Sequence, residues 1–208
     1  MTKKIISFPN LANYDVPVKF LFEKLTDYEV RKSPPMTRKT LELGSKYSPD
    51  SVCLPFKYNL GNFIETLENG ANILIQAGGG CRFGYYAEVQ KQILEDLGYE
   101  FEFYTLTESD VNGIKSIYNV IKKINPKIKI FKYLYYLILS FLMIVFMDKI
   151  DFYIRKNIGF EINKGNFDRT YKAMLNNFSK TNGFIDLIKK YKRFSRKIKD
   201  IALDKPKN

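Results

Sequence analysis

The chain has 208 residues, 45% of them apolar and 27% charged, a balance that suits a folded globular protein and argues against disorder. It contains no histidine, which excludes imidazole acid–base chemistry, a Ser-His-Asp triad and every metal site that needs a histidine ligand. The net charge of +12 is uneven: residues 1–110 hold 12 Lys and Arg against 15 Asp and Glu, a balance of −3, whereas residues 111–208 hold 22 against 7, a balance of +15.

In chain order, Met1 to Asn10 lack the long apolar core of a secretory signal, so a cytoplasmic location is expected, with the two cysteines as free thiols or ligands. Lys4–Phe8 reads as a buried strand, and Tyr14–Leu25 places Val16, Phe20, Leu21 and Leu25 at helical spacing. Tyr28–Lys32 is a second strand, closed by Ser33-Pro34-Pro35. Thr37 caps a helix running to Tyr47, and Pro55 opens another from Phe56 to Glu68, ended by Gly70. Asn72–Gln76 is a third strand, Tyr85–Leu97 a helix closed by Gly98, and Tyr99–Leu106 a fourth strand. This alternation predicts βαβ units, hence an α/β domain over residues 1–110 whose parallel sheet has helices on both faces. Residues 111–208 read as a basic helical cap or arm, with helices over Val111–Ile124, Phe131–Arg155, Asn166–Asn177 and Gly183–Ile201.

Within that arm, Tyr133–Met147 is uncharged for 15 residues, short of the roughly 20 that a spanning helix needs. It is expected to be buried in the protein or docked on a partner, with a single short membrane anchor as the alternative. The basic surplus suits nucleic acid, acidic lipid, an acidic partner or a polyphosphate, and equally a plain solvated surface. With no nucleic-acid motif in the chain, no nucleic-acid partner is expected. Glu65 and Glu68 fall at i, i+3 and read as a solvated helix face rather than an acid–base pair.

Two segments carry candidate chemistry. In Ala77-Gly78-Gly79-Gly80-Cys81-Arg82-Phe83-Gly84, three glycines after a strand let something bulky approach the backbone. Cys81 stands near the start of the next helix, where the dipole and free N–H groups favour a thiolate, and Arg82 adds positive charge. The same pattern also fits a simple strand–loop–helix joint with Cys81 packed as a small apolar residue. A phosphate cradle is disfavoured, because neither a Gly-Lys-Ser/Thr ending nor G-x-G-x-x-G spacing is present. In Ser48-Pro49-Asp50-Ser51-Val52-Cys53-Leu54-Pro55, Cys53 lies between a turn and a helix start.

The segments SPDSVCLPFKYNLGN (48–62) and AGGGCRFGYYAEVQ (77–90), with ISFPNLANY (6–14) and KSPPMTRKTLELG (32–44), resemble the 2-hydroxyacyl-CoA dehydratase component family and its dehydratase-activase-related (CoA protein activase) members. The resemblance covers residues 1–105 and extends more loosely beyond. It implies flavodoxin-like domains whose rim cysteines hold a 4Fe-4S cluster, or a larger fused one. An ATP-dependent activase donates one electron at low potential to a small CoA-linked substrate, and a 2-hydroxyacyl-CoA passes through a ketyl radical to the enoyl-CoA, a lyase or reductase chemistry. On this resemblance Cys53 and Cys81 are metal ligands, Gly78, Gly79 and Gly80 make room for the cluster, and Arg82 lies beside it. A cluster normally takes about four thiolates, and the chain has two. The rest would come from a homodimer or a companion dehydratase subunit; without them the chain would be a partner-docking subunit with no competent cluster.

Overall fold

The computed structural model describes residues 3–77, 85–106 and 113–205. The elements follow as β1 (Ile5–Ser7), α1 (Asp15–Leu25), β2 (Glu29–Val30), α2 (Arg38–Tyr47), α3 (Leu54–Glu68), β3 (Ile73–Gln76), α4 (Tyr86–Asp96), β4 (Glu102–Thr105), α5 (Gly113–Ile124), α6 (Ile130–Asn157), α7 (Asn166–Phe178) and α8 (Phe184–Lys199). The alternation expected from the sequence is met in order, with the strands shorter than their apolar runs. Gly78, Gly79, Gly80, Cys81 and Arg82 lie outside the described residues.

The four strands form one parallel sheet in the order β2-β1-β3-β4. Ile6 pairs with Val30 on one side and Ile73 on the other, and Ile73 pairs in turn with Glu102. Every residue of β1 and β3 is buried, as a parallel strand covered on both faces requires. β4 is a half-exposed edge, where Glu102 receives Lys4 at 2.6 Å. The chain runs from β1 to β2 on one side and then crosses to β3 on the other, so strand order reverses at the carboxyl ends of β1 and β3.

Local rules explain the helix ends. Thr37 takes the amide of Thr40 while Thr40 Oγ1 accepts from the Thr37 amide at 2.9 Å, a reciprocal cap. Gly70, at φ +85°, closes α3 by donating to the Leu67 carbonyl at 2.8 Å. α2 and α3 cross at backbone contact: a Cβ on Gly61 would lie 1.9 Å from the Thr40 oxygen, and one on Gly44 1.7 Å from the Lys57 oxygen.

The chain divides into two compact units, residues 1–15 with 22–133 and residues 16–21 with 134–208. In the first, Phe56, Leu60, Phe63, Ile64 and Leu67 of α3 pack with Leu74 of β3 and Leu94 of α4. In the second, Leu139, Met143, Met147, Ile150 and Ile154 of α6 pack with Phe167, Met174 and Phe178 of α7 and Leu187, Phe194 and Ile198 of α8. Val16 and Phe20 join this second core although they belong to α1.

The apolar run in α6 is enclosed along one face only. Residues 130–160 are long and apolar enough to cross a membrane by length and composition, yet just 28% of their most apolar stretch is buried.

Candidate functional site

Cys53 is the N-cap residue of α3, at φ −71° and ψ 159°. Its carbonyl accepts from the amides of Phe56 (3.1 Å) and Lys57 (3.3 Å), while Pro55, with no N–H to leave unpaired, occupies the first turn. The thiol is free and exposed. It lines an apolar cleft of about 220 Å³ with Val52, Phe56, Tyr85, Tyr86 and Val89. The rings of Phe56 and Tyr86 meet edge to face at 4.9 Å, which ties the first turn of α3 to the first turn of α4.

A buried amide relay sets the height of this cleft above the sheet. Gln76, the last residue of β3, donates through Nε2 to Gln90 Oε1 at 2.8 Å, and Gln90 Nε2 donates to the Phe56 carbonyl at 3.2 Å. Gln76 Oε1 accepts from the Ala77 amide at 2.9 Å. Both glutamines are buried, so these bonds satisfy groups that would otherwise be costly to enclose. The start of α3 is therefore held beside the carboxyl end of β3, near the reversal of strand order where ligands of open α/β sheets bind.

A second polar network braces the same helix from the other side. Ser7 Oγ donates to the Arg31 carbonyl at 2.7 Å and lies 3.1 Å from Ser33 Oγ, which donates to the Phe8 carbonyl. Thr66 Oγ1 donates to Ser33 Oγ at 2.8 Å. Asn62 accepts from the Asn10 amide at 2.8 Å and donates to the Pro34 carbonyl at 2.9 Å. Thr40 Oγ1 donates to Glu65 Oε2 at 2.8 Å. Glu65 is buried, which corrects the expectation of a solvated Glu65–Glu68 face: only Glu68 is exposed, and Glu65 turns inward because Thr40 of α2 pairs with it.

Ion pairs on the opposite, amino side of the sheet hold Glu29 well below the ordinary carboxylate range, to about 2, through Lys3 and then Arg31. Asp15 is shifted the other way: burial raises it, against the stabilising bond from the Leu11 amide.

No family model, curated protein or solved structure matches this chain.

Among the described residues, no three Cys, Asp or Glu side chains converge to hold a metal ion. Of the sequence-derived site residues, Cys53 alone falls within the described structure. The sequence reading missed Gln76 and Gln90; a signal was available, because Gln90 occupies the same helical register as the buried Ala87 and Leu94.

Proposed function

We propose that this chain is a cytoplasmic iron–sulfur protein related to 2-hydroxyacyl-CoA dehydratase components, with Cys53 and Cys81 as ligands at the carboxyl rim of a flavodoxin-like unit with helices on both faces. The observation that carries the reading is the exposed thiol of Cys53 on the cleft it shares with Tyr85. Cys81 precedes Tyr85 by four residues, and four residues of chain span at most about 14 Å. Covalent reach thus permits both sulfurs to serve one centre. The strand order β2-β1-β3-β4 supports the flavodoxin-like arrangement.

Two cysteines fill half of the usual ligand set, so a second copy or a companion subunit supplies the others. When bound, the cluster supplies one-electron chemistry at low potential, with an ATP-dependent activase as donor and a small CoA-linked molecule as acceptor. The chain's own part is to hold the ligands: Gln76 and Gln90 fix the start of α3 against β3, and the apolar cleft borders the exposed thiol. Gly78, Gly79 and Gly80 leave space, and Arg82 supplies positive charge.

Anaerobic reconstitution of the full chain with iron and sulfide tests this. Chelatable iron and sulfide-to-iron charge-transfer absorption are expected for the parent protein and lost in Cys53→Ser and in Cys81→Ser. No iron uptake by the parent, or equal uptake by all three, overturns it. A second reading, a partner-docking subunit without a cluster, is favoured by the chain's two cysteines, half the number of thiolates that a cluster normally takes. It predicts a complex whose stability is indifferent to both serine variants.

A further inference from the structure

The face of α6 opposite the helical core is uncovered among the described residues. Leu134, Ile138, Phe141 and Phe152 recur at the 3–4-residue spacing of one helix face. Ile138 is 51% exposed, Phe141 62% and Phe152 61%. Tyr135 extends the patch sideways: its ring packs on Phe184 at 5.0 Å, next to Ile185, which is 72% exposed. Such a contiguous apolar surface marks an interaction site.

The exposed charges around it are mostly basic, although Asp148 shares this face of α6 and Asp186, paired with Lys190 at 2.8 Å, lines the cleft beside Tyr135. Lys149 and Lys156 are exposed on the same face of α6, Lys156 lying over the Phe152 ring at 4.3 Å. Lys189 lines the same cleft as Tyr135 and Ile185. From there the outer surface of α8 continues with Lys192, Arg193, Arg196, Lys197 and Lys199, all exposed. Apolar and aromatic side chains framed by lysines are the composition of a surface that settles on anionic lipid.

We propose that the helical unit docks on an anionic lipid surface, with α6 lying in the plane of the headgroups. Its apolar face enters the acyl boundary, and Lys149, Lys156 and Lys189 meet lipid phosphates. Crossing the bilayer is excluded by the other face of α6, where Leu139, Met143, Met147 and Ile150 are buried against α7 and α8; a spanning α6 would carry the basic α8 into hydrocarbon. A second copy is disfavoured because it would set a +15 region against itself. This inference does not depend on the iron–sulfur reading.

Vesicle co-sedimentation of the full chain tests it, comparing phosphatidylcholine alone with phosphatidylcholine containing about 30% phosphatidylglycerol. The parent protein is expected to bind the anionic vesicles, more weakly at high salt, and to ignore the neutral ones. Ile138→Ser with Phe141→Ser, and separately Lys149→Glu with Lys156→Glu, should each weaken binding by at least about tenfold, with unchanged circular dichroism. If the serine pair fails to fold, the charge-reversed pair decides, since both lysines are exposed. Failure of the parent to bind, or parent-like binding by a folded charge-reversed variant, overturns the proposal. So does a dimer in light scattering that the charge-reversed variant strengthens, which would assign the face to a second copy.

Discussion

The two units of this chain are built on opposite uses of polarity. The α/β unit encloses Ser7, Ser33, Asn62, Glu65, Thr66, Gln76 and Gln90 and gives each a defined partner. The helical unit fills its core with Met, Phe, Leu and Ile, pushes its charge to the surface and leaves part of its hydrocarbon uncovered. Hydrogen bonds are directional, so a buried network dictates where each element sits; dispersion and apolar burial tolerate more than one arrangement. The region with the buried network is accordingly the one that positions a cysteine, and the region without it presents a broad adhesive face. Polarity inside buys position.

The sharpest way to break this comparison is Gly61→Ala. With a backbone oxygen 1.9 Å from the new Cβ, neither helix can yield by moving a side chain. A loss of about 3 kcal/mol is expected, read as a lower urea midpoint and faster amide exchange in α2 and α3. Unchanged exchange there would mean that the two helices do not cross at contact. Next comes Gln90→Leu, which strips partners from the buried Gln76 amide and the Phe56 carbonyl; it should cost about 2 kcal/mol. If the parent takes up iron as proposed, the variant should also retain less of it, whereas retention like the parent's would uncouple the relay from the proposed site.

The helical unit predicts the reverse sign. Thr181 Oγ1 is buried without a hydrogen-bond partner, so Thr181→Val should raise stability, by about 1 kcal/mol, measured by the shift in the urea midpoint. A loss instead would reveal a bonded hydroxyl and weaken the contrast between the units.

The smallest effect is in acid. Glu29 is depressed from the ordinary 4.5 to about 2 by Lys3 and Arg31. A depressed carboxyl contributes stability above its unfolded value and loses it as pH falls through the folded one, so this contribution fades between about pH 4.5 and pH 2. Glu161 is also lowered, first by the Phe167 amide, which it receives at 2.8 Å at the start of α7. Added salt should flatten the Glu29 slope, since exposed ion pairs are screened, and leave that of Glu161 nearly intact. Equal salt sensitivity in Glu29→Gln and Glu161→Gln titrations would erase the distinction.

Much of the α/β unit was legible because its signals are local. Thr37 and Thr40 cap α2 within four residues, Gly70 and Gly98 end helices by their own positive φ, and the apolar runs of β1 and β3 announce strands buried on both faces. Position 53 was likewise readable as a helix start, since Pro55 follows it. The inward turn of Glu65 was not, because its partner Thr40 lies 25 residues away on a helix whose crossing depends on paired glycines. Sequence alone therefore determined the order and kind of the elements, the sign and place of the charge, and the exclusion of histidine chemistry. Tertiary structure decided which face each element shows. From Tyr133 to Met147 α6 is apolar all round, so no periodicity could say that Met143 would be buried and Phe141 exposed. Nor could local spacing assign Val16 and Phe20 to a core built more than a hundred residues further on. Those choices are made by long-range packing, where burial is shared among elements that meet only after the chain has folded.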